Sequence, residues 1–144
     1  MSQTVCPHCG AVNRLPEQRP ARDGRCGQCR GALFTAQPLE VTGAGLERQV
    51  ARSQGMGLLL DVWAPWCGPC RAMAPQFAAA AHELEPQVRL LKLNSEAEPQ
   101  AAARLGVSGI PALFLFRDGK VMARTAGLRN TQQLVAWTRQ ALGA

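Results

Sequence analysis

Six cysteines fall into three pairs of one spacing: VCPHCG at residues 5–10, GRCGQCRG at 24–31 and APWCGPCRAMAP at 64–75. A thiolate can be a nucleophile or a metal ligand, and the sequence around each pair decides which. Cys6 and Cys9 are followed, after residues 10–25, by Cys26 and Cys29. That spacing reads as a zinc ribbon: each Cys-x-x-Cys turn delivers two thiolates from one side, and two such turns complete a tetrahedron. Gly10 and Gly27 are expected to let the backbone curl around the ion, and His8 to be a loop residue. Iron on the same four ligands and two further redox-active pairs are the alternatives. Zinc is preferred as the usual occupant of such sites.

The third pair sits where an apolar run, LLLDVW at 58–63, gives way to a helical pattern. At a helix N-terminus the backbone N–H groups lack intrahelical partners and the macrodipole is positive, so a thiolate at Cys67 is stabilised. Cys70 lies one turn on, on the same side and within bridging reach. Gly68 keeps the site uncrowded, and Pro69 suits a first turn that needs no N–H from it.

The elements that must hold these pairs follow from pattern. Residues 38–41 read as a short strand, with Thr42 capping a helix over 43–54. Strand 58–63 leads into a helix over 67–84 that contains Pro75. Strand 88–94 comes next, and Ser95 with Glu98 resembles a capping box for a helix to about 105. Residues 112–116 and 120–126 form a hairpin around Asp118-Gly119, which favours a type I′ turn. Asn130 with Gln133 opens a last helix that turns Leu134, Val135, Trp137 and Leu142 toward one face. The expected class is α/β: a mixed central sheet with helices on both faces, over residues 38–144. Residues 1–37 show no convincing periodicity beyond short pieces. They bury too little to fold without a staple, so they form a separate metal-stapled module.

WCGPC after a strand ending Asp-x-Trp-Ala, Ala-Pro inside the next helix and Gly109-Ile110-Pro111 further on together resemble the thioredoxin family. The preceding cysteine-rich segment is similar to that of the zinc-binding bacterial thioredoxin 2 type. The resemblance implies the thioredoxin fold, and a thiol–disulfide oxidoreductase that reduces protein disulfides. In it Cys67 attacks, Cys70 resolves, Asp61 takes the proton from Cys70, and Lys92 approaches Asp61. Pro111 is a cis-proline facing the disulfide, and the Ile110 backbone pairs with extended substrate. Trp66 is a surface contact beside Gly68 and Pro69, Trp63 packs, and Gly127 leaves room. Pro65 and Ala112 depart from the usual acid and threonine. The resemblance also implies an NADPH-dependent flavoprotein, thioredoxin reductase, as the electron source. The chain has no GxGxxG-type motif, so it is expected to bind no nucleotide directly.

The formal charge of +6 falls to about +4 once four thiolates hold one divalent ion. The positive residues are dispersed, so a nucleic-acid partner is not expected. No run of eighteen apolar residues exists, nor an apolar stretch near the N-terminus. A cytoplasmic monomer away from membranes is the expectation. Two other readings stand: a disulfide oxidase or isomerase, with a potential nearer about −120 than about −270 mV, and a zinc-dependent binding or redox-regulatory module.

Overall fold

The computed structural model describes residues 2–18 and 20–143. Its main sheet is built from β3 (Leu39–Glu40), β4 (Gly57–Trp63), β5 (Val88–Asn94), β6 (Ala112–Arg117) and β7 (Lys120–Ala126), in the order β3-β5-β4-β6-β7. β3, β5 and β4 run parallel, while β6 is antiparallel to β4 and β7 to β6. The near-continuous apolar run of β4 marks it as central, with a helix layer on each face. On one side α2 (Gly68–Leu84) and α4 (Thr131–Ala141) pack Met73, Phe77 and Leu134 against Leu59, Leu90 and Leu113. On the other, α1 (Gly43–Arg52) and α3 (Pro99–Arg104) set Leu46 and Ala102 against Leu58, Leu60, Leu91 and Phe114. Each fully buried side chain of this size contributes about 2 kcal/mol by leaving water.

Local signals place most boundaries. Thr42 caps α1 by accepting from the Gly45 N–H, and Asn130 with Gln133 forms a reciprocal capping box on α4. Asp118 and Gly119 both have positive φ, 50° and 81°, as a type I′ turn requires. The Ser95–Glu98 box does not form. Asn94 Oδ1 accepts from the N–H groups of Glu96 and Ala97, Ser95 Oγ donates to the Trp63 carbonyl, and Glu98 accepts from the Gly43 N–H at the head of α1. The helix therefore starts three residues later than a Ser95 cap would set it, at Pro99, with Glu98 as a cap that makes no side-chain bond to its own helix.

The N-terminal segment is more regular than its sequence suggests. β1 (Ser2–Val5) and β2 (Val12–Leu15) pair antiparallel, and a 3-10 turn follows at Ala21–Asp23. This unit docks on the base of the main sheet. Gln3 and Gln54 exchange backbone hydrogen bonds, the Arg48 guanidinium donates to the Gly10 carbonyl, and Met56 completes a small core with Cys6, Leu15, Cys26, Leu33 and Phe34. Met56 precedes β4, whereas Cys67 follows its other end, so the docked unit and the third cysteine pair lie at opposite ends of the strand, about 20 Å apart.

Candidate functional site

β4 runs out of the core at Trp63, and Cys67 becomes the N-cap of α2, with extended dihedrals and its Sγ accepting from the Cys70 N–H at 3.2 Å. Pro69 falls in the first turn of the helix. Cys67 and Cys70 are disulfide-bonded, with Cα atoms 5.2 Å apart, and both are largely buried. They pack with Ala64, Trp63 and Ile110. The Ile110–Pro111 peptide is cis, and the Ile110 carbonyl lies 3.9 Å from Cys67 Sγ. A side chain at Gly68 would meet nothing within 4 Å, so space above the pair is open, and Trp66 beside it is 67% exposed. Gly127 donates its N–H to the Pro111 carbonyl at 2.8 Å. Its φ of 110° demands glycine more than room does, because a Cβ there would meet nothing nearer than 4.0 Å.

Asp61 is wholly buried on β4, and neither of its oxygens has a hydrogen-bond partner among the described residues. Desolvation pushes its pKa from the ordinary carboxylate range up to about 7. Lys92 pulls it down, and Glu40 adds to the rise. Lys92 is the register partner of Asp61 across β4 and β5, and its ammonium sits 4.8 Å from the centre of the Trp63 ring. The sequence-predicted residues around the third pair are thus gathered into one neighbourhood.

At the other end of β4 the four remaining thiols converge, with all ligand atoms within 4.8 Å of one another. Cys6 Sγ lies 3.6 Å from Cys29 Sγ, and Cys9 Sγ 3.6 Å from Cys26 Sγ. Four thiolates at about 2.3 Å from a zinc ion define a tetrahedron with edges of about 3.8 Å, so the set fits such an ion. Backbone N–H groups of His8, Gln28, Cys29 and Gly31 and the Asn13 amide point at the sulfurs, which favours thiolates.

The two turns are copies. Cys6 N–H bonds the Ala11 carbonyl as Cys26 N–H bonds Gly31, and Gly10 N–H bonds Cys6 as Arg30 N–H bonds Cys26. The left-handed position is Gly10 in the first copy, with φ 76°, and in the second it is Arg30, with φ 68°, not Gly27. Gly27 instead gives its N–H to Asn13 Oδ1. His8 turns away from the cluster, with Nε2 2.9 Å from the Ala32 carbonyl.

Comparison with known proteins agrees with both sites. The family model "Thioredoxin" matches residues 37–140, and "Thioredoxin 2, N-terminal", a zinc-ribbon model, matches 5–31. The chain belongs to the thioredoxin family. It is 39% identical over 138 residues to thioredoxin C-3 of Corynebacterium nephridii, covering 96% of this chain and 94% of that one. It is 47% identical over 78 residues to a thioredoxin of Chlamydia muridarum, covering 54% and 76%. Among solved structures it is similar to a mutant thioredoxin from Halobacterium salinarum, with a TM-score of 0.67, 27% identity and coverage of 77% and 96%. It is also similar to spinach chloroplast thioredoxin f, with a TM-score of 0.68, 26% identity and coverage of 76% and 89%.

As a thioredoxin, the chain is a thiol–disulfide oxidoreductase whose redox pair is Cys67–Cys70, and its ribbon carries a four-cysteine, metal-binding cluster. Among the described residues no helix is long and apolar enough to cross a membrane. Three residues that sequence reasoning passed over stand out beside the thioredoxin pattern. Glu40 accepts a hydrogen bond from the Trp63 indole N–H at 3.1 Å. Glu85 and Arg89 are buried under the ribbon. Strand alternation in PLEV and VRLLKLN could give the faces of Glu40 and Arg89, but their partners lie on other strands and in the ribbon, and Glu85 falls in neither segment.

Proposed function

We propose that the protein reduces protein disulfides by the following exchange. The Cys67 thiolate attacks one sulfur of a substrate disulfide; a Cys67–substrate S–S bond forms, the substrate S–S bond breaks, and the released thiolate takes a proton from water. The Asp61 carboxylate then accepts the proton of the Cys70 thiol, with Lys92 setting its charge environment. The Cys70 thiolate attacks Cys67 Sγ; the Cys67–Cys70 disulfide forms, the Cys67–substrate S–S bond breaks, and the second substrate sulfur leaves as a thiolate that takes a proton from water. Two electrons pass to the substrate, and thioredoxin reductase, drawing on NADPH, returns them. Ile110 and cis-Pro111 receive the extended substrate segment, while Trp66, Gly68, Pro69 and Gly127 border it.

One observation carries this reading. Cys67 caps α2, so the helix N-terminus and the Cys70 N–H both favour its thiolate, and a buried, unpartnered carboxyl lies on the sheet face that α2 covers. Residues 1–37 act as the ribbon, where Cys6, Cys9, Cys26 and Cys29 would hold one zinc ion that supplies folding energy. Residues 38–144 form the catalytic domain. Positions 1, 19 and 144 lie outside the described residues.

The test is a trap. Reduced Cys70→Ser protein mixed with an oxidised protein substrate should accumulate one mixed disulfide per chain, on Cys67. Cys67→Ser protein should accumulate none. Trapping by the Cys67→Ser form at an equal rate would reverse the assignment of attacker and resolver.

A further inference from the structure

Three residues occupy one row across three strands. Asp61 on β4 is the register partner of Lys92 on β5, and Lys92 is the register partner of Glu40 on β3. Register partners on parallel strands share a face. Exposure rises along the row: Asp61 is buried, Lys92 half-buried and Glu40 exposed. Trp63, two residues beyond Asp61 on the same face, ties the row together, because its ring lies under the Lys92 ammonium and its N–H donates to Glu40 Oε1. We propose that Glu40 is a positioning residue for the proton-accepting step at Asp61: it pins the Trp63 indole and, with Asp61, holds Lys92 between two carboxylates. Its catalytic consequence rests on the reading of Asp61 as the base for Cys70.

Two physical effects have the same sign. Glu40 is a like charge two strands away, so it disfavours ionisation of Asp61. It also draws on the Lys92 ammonium that would otherwise serve Asp61 alone. Removing its charge therefore makes Asp61 a stronger acid. Strands about 4.8 Å apart put the two carboxyls about 10 Å from each other, and a partly screened charge at that range moves a buried group by about half to one pH unit. Among the described residues, Lys92 and Glu40 are the charged groups that act on Asp61; α2 covers this face with apolar Met73 and Phe77, and Cys67 and Cys70 at its N-terminus are disulfide-bonded and carry no titrating thiol. The β6 register partner of Asp61, Leu113, carries no charge.

Glu40→Gln separates charge from anchoring, since Gln still offers the indole an acceptor. The Asp61 carboxyl is titrated by carbon NMR in the oxidised protein, where neither active-site thiol ionises. The rate of mixed-disulfide resolution is followed against pH in the same two proteins. The expected result is an Asp61 midpoint lower by about half to one unit in Glu40→Gln, with the acid limb of the rate profile moving down with it. An unchanged or raised midpoint overturns the proposal, even if Glu40→Gln or Glu40→Ala slows the reaction evenly at all pH. A lowered midpoint with an unmoved acid limb supports the link from Glu40 to Asp61 and overturns instead the assignment of Asp61 as the base.

Discussion

Asp61→Asn should leave stability almost unchanged in acid and raise it strongly above neutrality. Unfolded, an aspartate titrates near 3.8, and here the folded group titrates near 7. Between those values the folded chain holds a proton that the unfolded chain has lost. Stability therefore falls as pH rises through this window. The full difference of about 3 units corresponds to about 4 kcal/mol of destabilisation by the buried carboxylate above pH 7. Asn has nearly the same shape and never ionises. Any fixed cost of its own unpaired amide is the same at every pH.

The assay is urea unfolding of the oxidised wild-type and Asp61→Asn proteins at about pH 4 and pH 8.5. The oxidised form keeps the titration of Cys67 and Cys70 out of the comparison. The difference between the proteins should grow by about 4 kcal/mol from the lower pH to the higher. A pH-independent difference would mean that Asp61 ionises at its ordinary pKa in the folded chain. The desolvation argument, and with it the assignment of Asp61 as a poised proton acceptor, would then fail.

Elemental analysis of protein purified under reducing conditions should give one zinc per chain, with two thiols reactive before denaturation; six reactive thiols and no metal would refute the ribbon assignment. Stripping the metal should open the small core around Leu33 and Phe34 and lower the melting temperature, yet leave disulfide reduction at 25 °C within about twofold, since the sites are about 20 Å apart. Arg89→Ala should cost about 3–5 kcal/mol in denaturant unfolding, and Arg89→Met clearly less, because Met refills the space without a buried charge. Equal costs for the two variants would refute this and show that the loss lies in the guanidinium's hydrogen bonds to Thr4 and Leu33, not in the space it fills.

Contacts close in sequence were legible and distant ones were not. Asn130 and Gln133 cap each other three residues apart, and Asp118-Gly119 needs only its own dihedrals. Cys67 and Cys70 were readable for the same reason, as one strand-to-helix junction fixes both. Ser95 misled because Asn94, one residue earlier, competes for the same N–H groups, and because Glu98 answers to Gly43 at the head of another helix. β1 and β2 were missed since four residues each give too short an alternation, and their register follows from the cysteine turn between them. Arg30 was missed because its left-handed φ follows from the repeat of the turn geometry, not from its residue type. Glu40 and Arg89 acquire meaning only when β3 and the ribbon come to lie beside β5.

The two buried charges on the paired central strands differ in one respect that separates their roles. Arg89 Nη2 donates to the Leu33 carbonyl at 2.6 Å and to Thr4 Oγ1 at 3.2 Å, and its guanidinium covers the Phe34 ring at 4.8 Å. Those partners come from the ribbon, and Glu85 at the C-terminal end of α2 adds an opposite charge from the main domain. Glu85 adds to the junction by accepting from the Ala36 N–H and, through its carbonyl, from Arg22. A buried ion with such partners resists removal and specifies one docking geometry. Asp61 has no hydrogen-bond partner at all among the described residues, so nothing in its surroundings fixes its protonation state. Desolvation and two charges, Lys92 and Glu40, leave it balanced near neutrality. A group left in that balance destabilises the fold that contains it, and persists most readily where its proton is used. The same sheet thus fastens its ribbon with a hydrogen-bonded charge at one end, and at the other, toward the redox pair, holds a carboxyl with no hydrogen-bond partner.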